Sequence, residues 1–516
     1  MSSGDSQPQQ AGPDPSAVTT GGPAGRPATS LALLETIQAL LTAVMLAFIF
    51  RAFFIEAFII PTGSMAPTLL GQHLTMLCPV CGWEFDAGPR HRGRRPGGFV
   101  APDFAYCPNC HTRIRVDRER AAVRNGDRIL VHKWPYLVGG QLRLRPWDVI
   151  VFRDPSDATQ NYIKRVVALP GETVEILDGD VFIQPPGGGE LRIRRKPPHV
   201  QRHLWFVVFD QDYPPFDERF TAGSPAWLPE DDADAWHGLA RRVVRFEPVD
   251  AEPHAIRFSP LGPAAHEYLQ DVYGYNHGSA GNYVADVRLT ATVRLSRPGW
   301  LRWEIGRDDY LFTATFDADG PVRLELRSPE GRRLEIGRHH SDALAGGRPV
   351  RLELAHVDWR VFVRVGGVEV LTTSDEQYGP DIAELRRYRR ITPPTLRIVA
   401  AEGAVSLRSL RVDRDVYYTY VRRATQRAYA RHPFTLADDE YFVLGDNSPN
   451  SFDSREWHTL GLHLWQAWRS EQYRVGTVRR DQIVGQAFFV YLPGLLPLDS
   501  AGRWRVPDIG RVRFVQ

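Results

Sequence analysis

Thirty residues near the start of this chain, Leu31 to Ile60, carry only three charged side chains, Glu35, Arg51 and Glu56. As a helix, Thr36 to Ile55 spans roughly 30 Å, the thickness of one hydrocarbon core, with Arg51 able to snorkel to the interface near its end. A transmembrane helix within residues 31–57 is therefore expected. A cleaved leader fits less well, because the run is long, starts after thirty residues and has no basic stretch before it. A buried core helix is the remaining alternative. Residues 1–30 consist mostly of Ser, Gly, Pro, Gln, Ala and Thr, too few apolar groups to offset the entropy of ordering, so they read as a disordered tail. Orientation does not follow from Arg26 set against Asp5 and Asp14.

At 516 residues the chain has room for three or four units. A net charge of +2 argues against a dedicated nucleic-acid binder, and four cysteines exclude a disulfide-dense secreted scaffold. Only three of the 63 basic residues, Lys133, Lys164 and Lys196, are lysine. Arginine stays protonated in proteins, so chemistry that needs an amine base has three side chains to draw on.

Directly after the apolar run comes Pro61-Thr62-Gly63-Ser64-Met65-Ala66-Pro67-Thr68. The two prolines bar a regular helix and Gly63 permits a tight backbone, which puts Ser64 on an irregular loop. Its surroundings are not the G-x-S-x-G elbow of Ser-His-Asp hydrolases. A lysine desolvated by apolar neighbours can activate such a hydroxyl, since burial disfavours the charged amine. Lys196 lies in the basic, proline-flanked Arg192-Ile193-Arg194-Arg195-Lys196-Pro197 and is expected to be solvated and charged. Lys133 lies in Ile129-Leu130-Val131-His132-Lys133-Trp134. Lys164 lies in Tyr162-Ile163-Lys164-Arg165-Val166-Val167-Ala168-Leu169-Pro170-Gly171, a β-branched strand closed by a turn, and is the better candidate. On that strand Lys164 and Arg165 point to opposite faces, so one can turn inward while the other meets solvent.

These segments resemble the bacterial type I signal peptidases, membrane-bound Ser-Lys proteases. Five further blocks follow in family order: Gly126-Asp127-Arg128-Ile129-Leu130-Val131, Pro146-Trp147-Asp148-Val149-Ile150-Val151-Phe152, the Lys164 strand, Gly445-Asp446-Asn447-Ser448-Pro449-Asn450-Ser451-Phe452-Asp453-Ser454-Arg455, and Ile483-Val484-Gly485-Gln486-Ala487-Phe488-Phe489. The resemblance implies a mainly β catalytic domain with Ser64 as nucleophile and Lys164 as general base. It implies an oxyanion hole from the Thr62 hydroxyl and the Ser64 N–H, with Ser451 orienting Lys164 and Asp446, Asp453 and Arg455 as a polar scaffold. It further implies exported preproteins with signal peptides as substrates, no cofactor for catalysis, and a single-pass anchor in the cytoplasmic membrane with the N-terminus inside and the catalytic domain on the outer face. Two other readings stand beside it: a self-cleaving Ser-Lys relative of the repressor type, and a membrane-tethered envelope- or glycan-binding protein on an inactive peptidase frame.

Insertions divide the catalytic segments, which are read as 58–77, 125–178 and 416–516. The first insertion, 78–124, holds Cys78-Pro79-Val80-Cys81 and Cys107-Pro108-Asn109-Cys110, a spacing that resembles a zinc ribbon with Zn²⁺ on Cys78, Cys81, Cys107 and Cys110. Structural disulfides are the alternative outside the cytoplasm, and redox activity is disfavoured because no thioredoxin-like pattern follows. The arginines between Arg90 and Arg128 form a basic segment suited to anionic membrane lipid or simply to solvent. The second insertion, 179–415, contains period-2 strands around Val287–Val293, Leu301–Ile305, Tyr310–Phe316, Val322–Leu326, Val350–Leu354 and Trp359–Val365. They read as a jelly-roll-like β-sandwich, similar to concanavalin or laminin-G domains, that either spaces and shapes the substrate site or binds an envelope glycan or protein. His339-His340 reads as a solvated turn, and the long stretch His458 to Val475 as a small extra helix.

Overall fold

The computed structural model describes residues 28–91, 99–117, 121–133, 144–216, 225–231, 233–259, 269–271, 273–276, 281–344, 347–387, 392–418, 427–497 and 504–515. The tail expected over 1–30 lies outside the described residues as far as 27, as do 92–98 and 118–120 of the basic segment. The chain divides into two compact units, residues 1–54 and 55–516.

The first unit is a helix, Ala28–Phe53. Its window Ala32–Ile49 is long and apolar enough to cross a membrane, with none of it buried within the protein. The helix starts three residues before the expected 31–57 span and ends four residues before its end, the chain turning to strand at Ile55.

The second unit is almost entirely antiparallel β structure. One sheet runs in the order Ile55–Ile59, Arg128–His132, Ile483–Leu492, Val149–Arg153, Asn161–Ala168, Glu440–Leu444 and Val478–Arg479, with Arg513–Phe514 pairing to Ile483–Leu492. Asn161–Ala168 sits near the middle, Lys164 opposite Ile150 and Arg165 opposite both Val149 and Leu444. Its last six residues are buried, because the continuous run Val166-Val167-Ala168 supplies apolar groups to both faces. A smaller sheet, Arg192–Ile193, Asp180–Gln184, Thr173–Leu177 and Phe434–Thr435, continues this frame.

Residues 206–414 form a β-sandwich. Its first sheet joins Trp236–His237, Val243–Phe246, Val405–Arg414, Val287–Leu295, Val350–Val357, Arg360–Val365 and Val368–Thr372, with Phe206–Asp210 added on Val405–Arg414. The second joins Trp227–Pro229, His254–Phe258, Thr395–Ala401, Trp300–Arg307, Tyr310–Asp317, Val322–Arg327 and Arg333–His339. The inward residues of both sheets, among them Trp303, Phe312, Leu324, Leu354 and Val363, fill one core. Outward residues pair as charges, as where Arg364 reaches Glu353 and Glu369. All six period-2 segments are strands, the Gly366-Gly367 turn joins the last of them to Val368–Thr372, and the extra helix is present as Leu462–Arg469. His339 is the exposed last residue of a strand, with His340 exposed just after it.

The expectation for Lys196 fails. Its side chain is buried, with Nζ hydrogen-bonded to Asp358 and 2.8 Å from Asp415. Burial works against its charge, but Asp358, Asp415 and Asp180 outweigh burial and hold the amine well above its usual range. Asp358 stands on the sandwich turn between Val350–Val357 and Arg360–Val365, and Lys196 follows the small sheet, which takes Asp180–Gln184 and Arg192–Ile193 from the segment read as insertion, so a charge pair ties the sandwich to that sheet. Proline flanks and basic neighbours give no hint of Asp358 and Asp415, which lie more than 160 residues away in sequence. Replacing Lys196 with Met leaves two buried carboxylates without their cation. A loss of about 3–5 kcal/mol is expected, read as a lower urea midpoint of the full chain; an unchanged midpoint would show that the pair holds nothing together.

Candidate active site

Gly63–Met65 forms one short 3₁₀ turn after Thr62. Met65 is fully buried and anchors the turn in the apolar cluster of Ile129, Val131, Val149, Val151 and Ile163. The Ser64 N–H lies in the first positions of this turn, where helical geometry offers no intrahelical acceptor. Thr62 is exposed beside it.

Lys164 Nζ lies 2.8 Å from Ser64 Oγ and donates to the Ile163 carbonyl at 3.0 Å. The lysine is 4% exposed. Desolvation pushes its pKa down to about 8, against the opposing charges of Asp453 and Asp446. The other two lysines differ from it in one respect. Lys133 pairs with Glu56 at 3.0 Å and Lys196 with Asp358 and Asp415, whereas Lys164 has no carboxylate within ion-pair distance among the described residues. A buried amine without a counter-ion loses its proton most readily.

The Gly445–Arg455 loop wraps the other side of the dyad. Asp453 and Arg455 form a two-bonded fork, Nε to Oδ1 at 2.9 Å and Nη2 to Oδ2 at 2.8 Å. Burial alone would raise the Asp453 carboxyl, but the Arg455 guanidinium and its hydrogen bonds bring it below its ordinary value. Asp446 does not share that fork. Its carboxylate takes Arg165 Nε at 2.8 Å and Nη2 at 2.7 Å, and both residues are fully buried. Arg165 therefore does not meet solvent as expected; its Nη1 also donates to the carbonyl of Trp147, whose φ of +76° turns that oxygen toward it. The apolar run after Arg165 was the usable signal, since a strand buried on both faces forces any arginine at its head to find a partner inside.

Ser451 is buried beside Gly445, where a Cβ would come within 2.2 Å of its hydroxyl oxygen and 2.5 Å of the Ser64 carbonyl. Only glycine fits there. The Ser451 hydroxyl makes no hydrogen bond with Lys164, contrary to the orienting role expected of it, and lies near Asp453 instead. Asn447 went unnoticed in the sequence; it donates its N–H to the Ser64 carbonyl at 3.0 Å and Nδ2 to the Gly63 carbonyl at 2.9 Å.

The four cysteines form a second cluster within the unit. Their Sγ atoms lie within 4.8 Å of one another, with Cys78 and Cys110 at 3.5 Å and Cys81 and Cys107 at 3.6 Å. A disulfide needs about 2.05 Å, whereas a tetrahedron with Zn–S bonds of about 2.3 Å has edges of about 3.8 Å. The two knuckles repeat one geometry. Gly82 N–H bonds the Cys78 carbonyl and His111 N–H the Cys107 carbonyl, and both of these donors have positive φ.

Comparison with known proteins finds similarity to peptidases. The family described as "Signal peptidase, peptidase S26" matches residues 33–79, 111–203 and 397–492. Signal peptidase I of Rickettsia bellii (strain OSU 85-389) is 24% identical over 146 residues, 28% of this chain and 38% of that protein. Signal peptidase I of Pseudomonas fluorescens is 29% identical over 32% of this chain and 43% of its own length, and that of Leptolyngbya laminosa is 26% identical over 46% and 89%. The chain is thus similar to the signal peptidases over the segments that carry its ordered blocks, and it spans well under half the length of the Rickettsia and Pseudomonas relatives. Among solved structures, the carbohydrate binding module CBM66 from Bacillus subtilis is 9% identical with a TM-score of 0.24, covering 37% of this chain and 96% of that one. So low a score adds nothing to the sandwich already visible in the sheets.

With only three lysines, the Lys164 amine can be followed directly. In full-length protein carrying isotope-labelled lysine, one side-chain signal is expected to titrate near pH 8 and to vanish in Lys164→Met. A chain in which no lysine signal moves between about pH 7 and 9 would show a solvated Nζ.

Proposed function

We propose that this chain is a membrane-anchored serine endopeptidase that removes N-terminal signal peptides from exported preproteins, using Ser64 and Lys164 as a catalytic dyad. The observation that carries the reading is the 2.8 Å contact between Ser64 Oγ and an amine that is buried and held near a pKa of 8. Ser64 Oγ attacks the scissile carbonyl while neutral Lys164 Nζ takes its proton. Charge develops on the carbonyl oxygen, which the Ser64 N–H and the Thr62 hydroxyl are proposed to meet; donors fixed before the reaction stabilise that charge without reorganising. Lys164 then returns the proton to the leaving amine, and an incoming water, deprotonated by the same amine, releases the acyl group.

Asp446 with Arg165, and Asp453 with Arg455, supply fixed paired charges behind the amine. Each carboxylate is paired with its own guanidinium, which offsets part of its pull on the Lys164 proton and leaves desolvation the larger effect. The apolar helix would serve as a single-pass anchor in the cytoplasmic membrane, N-terminus inside, with Ser64 on the outer face where signal peptides emerge. A Zn²⁺ ion on Cys78, Cys81, Cys107 and Cys110 would rivet the first insertion; the sulfur spacing fits it and does not fit disulfides.

Two outcomes follow. Purified full-length protein should cleave a signal-peptide substrate, and Ser64→Ala and Lys164→Ala should each lower kcat by roughly 10³-fold or more. The active form carries neutral Lys164, so kcat/KM should rise about tenfold per pH unit below pH 8 and level off above it. Variants as active as the parent would sink the dyad. Separately, protein purified without chelator should contain one zinc per chain; absence of metal with all four thiols oxidised would remove the ribbon.

A further inference from the structure

Residues 273–276, deep in the second insertion, reach the turn that carries Ser64. The Tyr275 ring packs over Gly63, where a Cβ would come within 1.9 Å of it, and the Tyr275 hydroxyl donates to the Gln72 carbonyl at 2.5 Å. Beside it, Asn276 and Asn447 exchange hydrogen bonds, Asn276 Nδ2 to Asn447 Oδ1 at 2.7 Å and Asn447 Nδ2 to Asn276 Oδ1 at 2.9 Å. The second proton of Asn447 Nδ2 goes to the Gly63 carbonyl.

That carbonyl belongs to the same planar peptide as the Ser64 N–H. Holding the Gly63 oxygen therefore fixes the direction in which the Ser64 N–H points. Asn447 can do this only with its NH₂ toward Gly63, because the opposite amide orientation would set oxygen against oxygen. The Gly63 carbonyl selects that orientation, and the reciprocal pair with Asn276 holds the Asn447 amide in place with both its Oδ1 and its other Nδ2 proton satisfied. The strap itself is held from behind. Gly88 N–H bonds the Tyr275 carbonyl at 2.9 Å, Gly274 lies against Tyr106 and Pro108 of the cysteine-bearing insertion, and Asn282 closes the base onto Asp271.

We propose that Asn276 and Tyr275 are positioning residues for the backbone donor of the oxyanion hole, so that the second insertion completes the active site. The inference rests on the peptidase reading of Ser64. Residues brought from so far along the chain act through Asn447 and the Gly63 peptide, without touching substrate.

In full-length protein, Asn276→Ala should lower kcat roughly 10–100-fold, with KM within about twofold and the pH midpoint near 8 unmoved, because an oxyanion donor acts in the transition state. Asn276→Gln, which keeps the amide, should recover part of the loss. Amide hydrogen exchange across residues 63–70 should quicken in Asn276→Ala while the sandwich strands stay protected. Unchanged kcat together with unchanged exchange overturns the proposal. Should the parent itself fail to cleave signal peptides, the peptidase reading falls, and exchange at 63–70 alone decides the strap: faster supports it and unchanged refutes it. Should Asn276→Ala not fold, Tyr275→Phe, which removes only the bond to Gln72, is expected to quicken the same amides, and its failure to do so overturns the proposal.

Discussion

A buried amine with no carboxylate within ion-pair distance among the described residues is the condition on which the proposed dyad of this protein depends. Lys164 touches a hydroxyl and a carbonyl, neither of which rewards a positive charge as a carboxylate would. Desolvation can then act on its proton. The acids nearest to it, Asp446 and Asp453, are each committed to a guanidinium, Arg165 and Arg455. Two buried forks thus provide walls of little net charge around one buried amine. Opening either fork would leave a free carboxylate close to Nζ and favour the protonated amine.

The two insertions are wired into this frame. Lys196 joins it to the sandwich turn at Asp358, and Arg307, in the sandwich, reaches Asp178 on the small catalytic sheet. The cysteine-bearing insertion meets the strand that opens the sandwich, where Asn109 bonds the backbone of Asp210 and Tyr213. Both insertions converge on residues 273–276 and so on the nucleophile's turn. A chain with roughly half its length outside the catalytic sheets therefore spends part of that length holding one peptide plane.

Much of this was legible in advance, for local reasons. Apolar run length found the helix, alternation found the sandwich strands, and the Cys-x-x-Cys pairs announced a four-sulfur cluster. Short ordered blocks led to the signal peptidase family. The misreadings concern charge. Arg165 was turned outward by strict alternation, although its strand is buried on both faces. Lys196 was put in solvent by its basic neighbours, and Ser451 was given a bond to Lys164 that the geometry does not contain. For the two cations the deciding partner is distant in sequence, 281 residues for Arg165 and Asp446 and 162 for Lys196 and Asp358, whereas Ser451 lies near Asp453 of its own loop.

By itself the sequence determined which chemistry was available: one membrane-length apolar segment, three amines, one serine in a proline-bounded turn and two cysteine knuckles. These follow from residue type and spacing, which are local. Tertiary structure decided which amine could lose its proton, because that depends on the carboxylates and the water around Nζ. It also decided that Asn276, with no motif of its own, would sit against Asn447. Burial and pairing arise only when distant strands meet, and they bring Ser64 and Lys164 within 2.8 Å of each other.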